Sequence, residues 1–276
     1  MGDYLRPRGL EEALQALTRP FMVLAGGTDF YPARVGRAVT EDVLDIAGIA
    51  ALRGISQTSA GWRLGATTSW SELVEADLPP LFDGLKQAAR EVGGRQIQNS
   101  GTIAGNVCNA SPAADGVPAL LALDAEVELA SRNGTRRLPL ASFITGVRKT
   151  ERRPDELVVA LHVPRPRHDA RSAFVKLGAR RYLVISIVMA SAAIEVADGR
   201  IAAARVAVGA CSPVAQRLPA LERALIGASL DGHLGERVEP SHLAPLSPID
   251  DIRGSADYRG AAASVLLRRL LTKVSA

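Results

Sequence analysis

The segment Gly101–Asp115 concentrates residues that could hold an anion with the main chain. Its sequence, GTIAGNVCNASPAAD, contains glycines, small hydroxylated side chains and asparagines, but no lysine or arginine. Glycine readily adopts positive φ and lets the backbone approach a ligand, and successive N–H groups in a turn form an anion-binding concavity. A second segment of this kind, Ala25–Asp29, follows the apolar run Phe21–Leu24. Two such segments predict a site for a diphosphate.

Neither segment matches the motifs of the common nucleotide-binding folds. The pattern GxxxxGK[ST] is absent from both, so the lysine and the Mg²⁺-binding hydroxyl of a P-loop are missing. The spacing GxGxxG is absent as well, and we expect no clean helix directly after Gly101 and Gly105, which argues against a Rossmann site. The prediction that remains is a nucleotide held by two unrelated loops.

Composition limits the class of protein. A chain of 276 residues with 47% hydrophobic and 22% charged residues suits about two globular domains. The net charge is +4, the basic residues are dispersed and aromatic residues make up only 4%, so we predict no nucleic-acid binding. We also expect no membrane span and a cytoplasmic location, because no apolar run approaches the roughly 20 residues that a bilayer requires.

The metal-ligating residue types are few. The two cysteines, Cys108 and Cys211, lie far apart, and the four histidines form no HxxxH or HExxH pattern. We therefore predict no metal site, and we expect both cysteines to be small buried thiols. The chain also cannot by itself supply the four thiolates of an iron–sulfur cluster.

The elements that position the two segments follow from hydrophobic periodicity and turn residues. Asn133-Gly134 and Asp198-Gly199 predict hairpins, and the proline-rich stretch 163–168 predicts a domain boundary. The pattern predicts strands over 21–24, 42–46, 61–66, 125–130, 157–163, 173–177, 185–196 and 201–208. It predicts helices over 10–17, 69–76, 79–92, 117–123, 213–228 and 256–271, with Asp115 as a candidate cap of the helix that follows it.

Three ordered motifs resemble a known family across essentially the whole chain. They are AGGTDF at 25–30, GTIAGNVCNASPAADGVPALLALDAEVEL at 101–129 and FVKLGARRYLVISIVMA at 174–190. They resemble the FAD-binding medium subunit of the molybdenum hydroxylases, the group that contains carbon monoxide dehydrogenase and xanthine dehydrogenase. The resemblance implies an α+β fold in which a two-part PCMH-type FAD-binding domain precedes a small α+β domain with a three-stranded antiparallel sheet. We expect the first domain over 1–168, with parts at about 1–55 and 56–168, and the second over 169–276.

The resemblance also implies which residues contact FAD. The first diphosphate loop is matched by Ala25, Gly26, Gly27, Thr28 and Asp29, and the second by Thr102, Ile103, Ala104, Gly105 and Asn106. The family usually has glycine at the position of Ala104, so the methyl group requires negative φ there. Asp115 matches an acid that hydrogen-bonds FAD, Leu157 an apolar flavin contact, and Lys176 a lysine that reaches the cofactor. From the residues alone, Lys176 could instead be a solvated strand lysine.

What the resemblance implies about function is electron transfer. We expect a large subunit with the molybdenum cofactor, a small subunit with [2Fe–2S] clusters, and a dimer of heterotrimers in which FAD on this chain passes electrons to an external acceptor. No catalytic residue is expected on the chain itself. A self-sufficient FAD-dependent oxidase or dehydrogenase is the alternative, and a nucleotide-binding scaffold without redox function is a third possibility.

Overall fold

Three β-sheets of three or more strands follow one another along the chain in the computed structural model, which describes residues 2–276. The first sheet is parallel, with its strands in the order β1-β3-β2. Its helix α1 has apolar residues on one face, and Ala13 is fully buried there. The elements of this part are β1 (Tyr4–Leu5), α1 (Leu10–Ala16), β2 (Met22–Leu24) and β3 (Val43–Asp45).

The second sheet is antiparallel, with five strands in the order β4-β5-β10-β6-β7. The Asn133-Gly134 turn joins β6 to β7, as predicted, and a bulge interrupts β10 between Val158 and Ala160. Its strands are β4 (Ile55–Thr58), β5 (Gly61–Gly65), β6 (Glu126–Ser131), β7 (Gly134–Pro139) and β10 (Leu157–Pro164). The short strands β8 (Ile144–Gly146) and β9 (Lys149–Thr150) form a separate two-stranded ribbon.

Six helices accompany this second sheet within residues 2–276: α2 (Trp70–Glu75), α3 (Asp83–Glu91), α4 (Arg95–Ser100), α5 (Ile103–Asn109), α6 (Gly116–Ala122) and α7 (Leu140–Phe143). Helix α2 begins with a capping box, in which Ser69 and Glu72 exchange hydrogen bonds. Helix α6 is buried along its whole length, as its uniformly apolar sequence requires.

The expectation of an open loop over Gly101–Asp115 is wrong. Helix α5 occupies the centre of this segment, and α4 lies directly before it. Both helices are shorter than two full turns, so their sequences carry almost no periodicity. The predicted long helix over 79–92 is also divided, because Pro80–Phe82 forms a 3-10 turn before α3.

The third sheet is antiparallel in the order β11-β12-β13-β14. It has one more strand than predicted, because Gln216–Arg217 pairs with β13; the predicted helix over 213–228 therefore begins only at Pro219. The hairpin turn at Asp198 and Gly199 has φ of 51° and 72°, as an Asp-Gly turn favours. The elements are β11 (Asp169–Leu177), β12 (Val188–Ala197), β13 (Arg200–Gly209), β14 (Gln216–Arg217), α8 (Pro219–Leu225) and α9 (Ala256–Ser275).

The hydrophobic core is continuous between the second and third sheets. Helix α6 packs against β12 and β13, and the core around it includes Phe174, Met189 and Ala207 of the third sheet. Helix α9 covers the other face of that sheet, where a second core lies. The structure confirms the predicted α+β class. The packing of α6 fixes the C-terminal sheet next to the segment Gly101–Asp115, which directly precedes α6.

Candidate cofactor-binding site

A cavity of about 870 Å³ lies between the first sheet, the helices that accompany the second sheet and the segment that precedes β12. Its wall includes the loop after β2, the start of α5 and the segment Leu183–Ile185 that precedes β12. This size is within the range of small-molecule and cofactor sites in proteins. Both segments that were singled out from the sequence therefore contribute to the same cavity.

The loop after β2 is held against the second segment by close backbone packing. A Cβ atom on Gly26 would lie 1.9 Å from the carbonyl oxygen of Ser100, so only glycine fits there. Gly27 has φ of 72°, a conformation that glycine adopts without strain. These two glycines turn the chain into the cavity and bring the two segments into contact.

This loop offers unsatisfied donors. Among residues 2–276, no acceptor is present for the backbone N–H groups of Gly26, Gly27, Thr28 and Asp29. All four residues line the cavity. Four consecutive N–H groups without partners at the wall of a cavity are suited to bind an acceptor-rich ligand.

The second segment presents the first turn of α5. Thr102 caps this turn by accepting a hydrogen bond of 3.0 Å from the Gly105 N–H, and the Ile103 N–H donates to the Thr68 carbonyl at 3.0 Å. The Ala104 N–H has no acceptor in the part of the chain that the structure describes. Ala104 lies in the helix, where φ is negative, so its methyl group is accommodated.

Asn106, one turn further along α5, adds an unpaired acceptor. Its side-chain oxygen Oδ1 is buried and has no hydrogen-bond partner in the described structure. The residue lines the cavity. Buried polar atoms in native proteins are almost always hydrogen-bonded. This oxygen can therefore accept a hydrogen bond from a ligand in the cavity.

Asp115 lies at the end of the segment, and its carboxylate is buried in a polar cluster. Oδ2 accepts a hydrogen bond of 2.7 Å from Lys176 Nζ, and Oδ1 accepts one of 2.5 Å from Ser186 Oγ. The side chains of Asp115 and Lys176 are only 9% and 6% exposed. Burial raises the pKa of the Asp115 carboxyl, while the charge and hydrogen bond of Lys176 oppose the rise. The carboxylate does not cap α6, so that expectation is wrong.

The structure brings most of the predicted site residues together. Ile103 does not line the cavity, because its side chain is fully buried in the core. Lys176 does not line it either, since its ammonium group lies behind Asp115 and is not solvated. The predicted residues in the cavity wall are Ala25, Gly26, Gly27, Thr28, Asp29, Thr102, Ala104, Gly105, Asn106, Asp115 and Leu157.

Sequence reasoning missed the arginines of the cavity wall. Arg34, Arg148 and Arg152 line the wall, although neither of the two segments contains a basic residue. Arg148 has φ of 58° and donates to the Asn109 side chain, which directs it toward α5. These residues belong to distant parts of the chain, and no local motif marks them. The apolar segment Leu183–Ile185 was also missed as a wall of the site, although it lies within the third motif.

Two kinds of feature are absent from residues 2–276. No three side chains of His, Cys, Asp or Glu come together there as metal ligands. None of the helices in this range has the length and apolar character that crossing a bilayer requires.

Two family models cover nearly the whole chain. The first, described as the FAD binding domain in molybdopterin dehydrogenase, matches residues 1–166. The second, described as the CO dehydrogenase flavoprotein C-terminal domain, matches residues 173–274.

Characterised relatives are similar over their full length. The chain is 30% identical over 280 residues to a putative xanthine dehydrogenase FAD-binding subunit of Escherichia coli strain K12, covering 99% of this chain and 96% of that one. It is 29% identical over 281 residues to the carbon monoxide dehydrogenase medium chain of Hydrogenophaga pseudoflava, with 98% and 95% covered.

Solved structures agree with these matches. A chain of reconstituted CO dehydrogenase from Oligotropha carboxidovorans superposes with a TM-score of 0.91 at 26% identity, covering 100% of this chain and 98% of that one. A chain of quinoline 2-oxidoreductase from Pseudomonas putida 86 gives 0.90 at 25% identity, covering 100% and 97%. The chain therefore belongs to the family of FAD-binding oxidoreductase subunits of molybdenum hydroxylases of the xanthine dehydrogenase and carbon monoxide dehydrogenase type.

Proposed function

We propose that the cavity holds FAD and that the chain uses it to pass electrons from a partner subunit to an external acceptor. The observation that carries the proposal is the set of unpaired backbone donors on both sides of one cavity. Gly26, Gly27, Thr28 and Asp29 offer theirs from one side, and Ala104 offers its own from the start of α5. A diphosphate provides the acceptor oxygens that these N–H groups lack.

The remaining predicted residues fit roles around such a ligand. Thr102 caps the first turn of α5, and Gly105 leaves the surface of that turn free of a side chain. The Asn106 Oδ1 atom can accept a hydrogen bond. The Asp115 carboxylate has free lone pairs and can accept hydrogen bonds from hydroxyl groups. Ala25 and Leu157 complete the wall with apolar surface.

Two of the proposed residues do not line the cavity but support residues that do. Ile103 anchors the first turn of α5 in the core through its fully buried side chain. Lys176 holds Asp115 in position and balances its charge through the 2.7 Å contact. Arg148 and Arg152, which have no carboxylate partner within residues 2–276, add positive potential on the cavity wall, which favours an anionic cofactor, whereas Arg34 is paired with Glu41.

FAD, when bound, accepts and releases electrons singly or in pairs. The chain contains only two cysteines, too few for the four thiolates of a [2Fe–2S] cluster. We therefore propose that a small subunit carries such clusters and that a large subunit carries the molybdenum cofactor, in a dimer of heterotrimers. The relatives are named as a medium chain and an FAD-binding subunit, which supports an assembly of several subunits.

We further propose domain boundaries and a location. An FAD-binding domain would extend over 1–168, with parts at about 1–55 and 56–168, and a C-terminal domain over 169–276. Strand β10 of the second sheet ends at Pro164, and strand β11 of the third sheet begins at Asp169, which supports the division. A cytoplasmic location is supported by Cys108 and Cys211, which are free thiols.

The test is purification of the native assembly through a tag on this chain. We expect FAD on this chain, and molybdenum, iron and acid-labile sulfide on copurifying subunits. A preparation that carries FAD and oxidises a substrate without those subunits would support a self-sufficient flavoenzyme instead. A chain that takes up no FAD from an excess of the free cofactor would contradict the cavity assignment.

A further inference from the structure

A second concave surface lies on the far side of Lys176 from the FAD cavity. It encloses about 690 Å³ between the end of α3, strand β11, the segment after it and the outer face of α9. We call it the cationic groove and define it by Arg90, Phe174, Arg180, Arg181, Arg269 and Lys273.

The basic side chains of this groove lack carboxylate partners. Within residues 2–276, no Asp or Glu oxygen lies within 4.0 Å of the charged nitrogens of Arg90, Arg180, Arg181, Arg269 or Lys273. All five side chains are exposed, so their charges are open to a ligand, and Glu91 is the acidic residue that lines the groove beside them. Positively charged side chains that line a concave surface raise the local concentration of anions.

Lys273 is held in the groove by neutral acceptors. Its ammonium group donates to Gln87 Oε1 at 2.6 Å and to the Phe174 carbonyl at 3.0 Å. Burial lowers the pKa of Lys273, and the charge of Glu91 partly offsets this effect. These two hydrogen bonds orient the exposed ammonium group at the groove, where it can contact a bound anion.

The floor of the groove is apolar. It is formed by the largely buried side chains of Phe174, Leu177 and Leu266. An apolar floor with convergent charged groups on the rim is the usual composition of a small-molecule site.

The groove and the FAD cavity share a wall. Glu91 and Val184 line both, while Lys176 lines the groove and contacts Asp115, which lines the cavity. An anion in the groove would therefore lie next to the ion pair that holds Asp115.

We propose that the cationic groove binds a compact small-molecule polyanion of the phosphate-ester or diphosphate type, at a site separate from FAD. The volume of about 690 Å³ accommodates a ligand of that class. Arg181 lies in the segment after β11 and Arg269 in α9, and both line the groove, so both can contact one ligand.

The experiment measures binding of inorganic pyrophosphate to the FAD-loaded chain by isothermal titration calorimetry at low ionic strength. With FAD in its own cavity, the probe reports on the groove. The test variant is the double substitution Arg181→Gln and Arg269→Gln, because both side chains are exposed and make no hydrogen bond within residues 2–276. The matched control is Arg132→Gln with Arg223→Gln, which removes the same charge from exposed positions outside the groove.

We expect one saturable site in the unmodified chain, binding weakened about tenfold or more in the test variant, and a change of less than about threefold in the control, because direct contacts to charged groups exceed long-range effects. Absence of saturable binding would overturn the proposal. Equal weakening in both variants would also overturn it, since the effect would then follow net charge alone. The melting temperature of each variant checks that the fold is retained.

Discussion

At the scale of single residues, Gly105 has no room for a side chain. A Cβ atom there would lie 2.7 Å from Thr102 Oγ1, the atom that caps α5. Gly105→Val is therefore expected to disturb the cap, at a cost of about 1 kcal/mol, and to cover the surface that faces the cavity. We predict that the dissociation constant for FAD, measured by titration of the FAD-free chain, rises at least about tenfold, equivalent to about 1.4 kcal/mol of binding free energy.

The control for this substitution is Gly260→Val. Gly260 also lies in a helix, but nothing lies within 4 Å of an added Cβ there. The cost in helix propensity is similar in both variants, so the difference between them comes from the α5 cap and from the surface that faces the cavity. An unchanged dissociation constant for FAD in the Gly105 variant would contradict the assignment of α5 to the diphosphate.

The pair Asp115 and Lys176 gives a second prediction at this scale. Lys176→Ala would leave the buried carboxylate without its counter-charge, which costs about 3 kcal/mol in typical buried pairs. We expect that loss in the free energy of unfolding by urea, measured at one fixed FAD concentration.

The double variant Asp115→Asn with Lys176→Gln serves as its control. It removes both charges and keeps similar volumes, so we expect it to cost less than the sum of Asp115→Asn and Lys176→Gln measured singly. Additive costs would show that the two charges are independent in solution, which contradicts the buried pair in the structure.

The residue types of the site were predictable, but their partners were not. Gly26 and Gly27 are unusual in sequence because a backbone in close contact needs glycine, and this signal is local. The contact between Lys176 and Asp115 joins residues 61 positions apart. Periodicity and composition carry no information about such a pair, and only the family resemblance pointed to both residues.

At the scale of elements, a buried ion pair ties β7 to the residue before β10. Arg136 Nε and Nη2 donate to the two oxygens of Glu156 at 2.6 and 2.9 Å. The hydrogen bond from Arg136 is the main reason that the pKa of Glu156 lies below its ordinary value of 4.5. Its stabilising effect is therefore complete above about pH 4.5 and is lost as the pH falls through the lowered value.

We predict that Glu156→Gln lowers the free energy of unfolding by about 2 kcal/mol at neutral pH. The difference from the unmodified chain should shrink as the pH falls below about 4.5 and through the lowered native value, because the carboxyl group then becomes protonated first in the unfolded and finally in the native state. Urea unfolding at a series of pH values measures both effects. A difference that persists at low pH would show that the carboxylate charge is not its source.

The exposed pair of Glu75 and Arg95 provides the comparison. Both side chains are well exposed, at 64% and 65%, although their N···O distance is 3.1 Å. Glu75→Gln is expected to cost less than about 0.5 kcal/mol, because water screens such pairs. An equal cost for Glu75→Gln and Glu156→Gln would contradict the role of burial.

Elements with long apolar patterns were predicted, and short ones were not. Strands β10, β12 and β13 and helix α9 have the length at which periodicity becomes distinctive. Helices α4 and α5 consist of six and seven residues, and tertiary contacts such as the Ile103 N–H to Thr68 hydrogen bond define them. Their absence from the prediction is the reason that Gly101–Asp115 was expected to be a loop.

At the scale of the whole molecule, the cofactor cavity is a property of the packing between parts. Its wall contains residues from the loop after β2, from α5 and from the segment before β12. The three motifs, in their order along the chain, indicated the protein family to which the chain belongs. How they converge depends on α6, which is buried between the second and third sheets. The positions of Arg148 and Arg152 in the cavity wall follow from the same packing and have no local signal.

The central claim is that this chain holds FAD and receives its electrons from a partner. The most direct test follows the flavin absorbance of the intact assembly during anaerobic addition of its substrate, and compares it with the FAD-loaded chain alone. We predict that the flavin is reduced in the assembly, while the isolated chain, at equal FAD content, is not reduced by the same substrate. Reduction of the isolated chain at the rate seen in the assembly would contradict the account, because the chain would then oxidise the substrate itself.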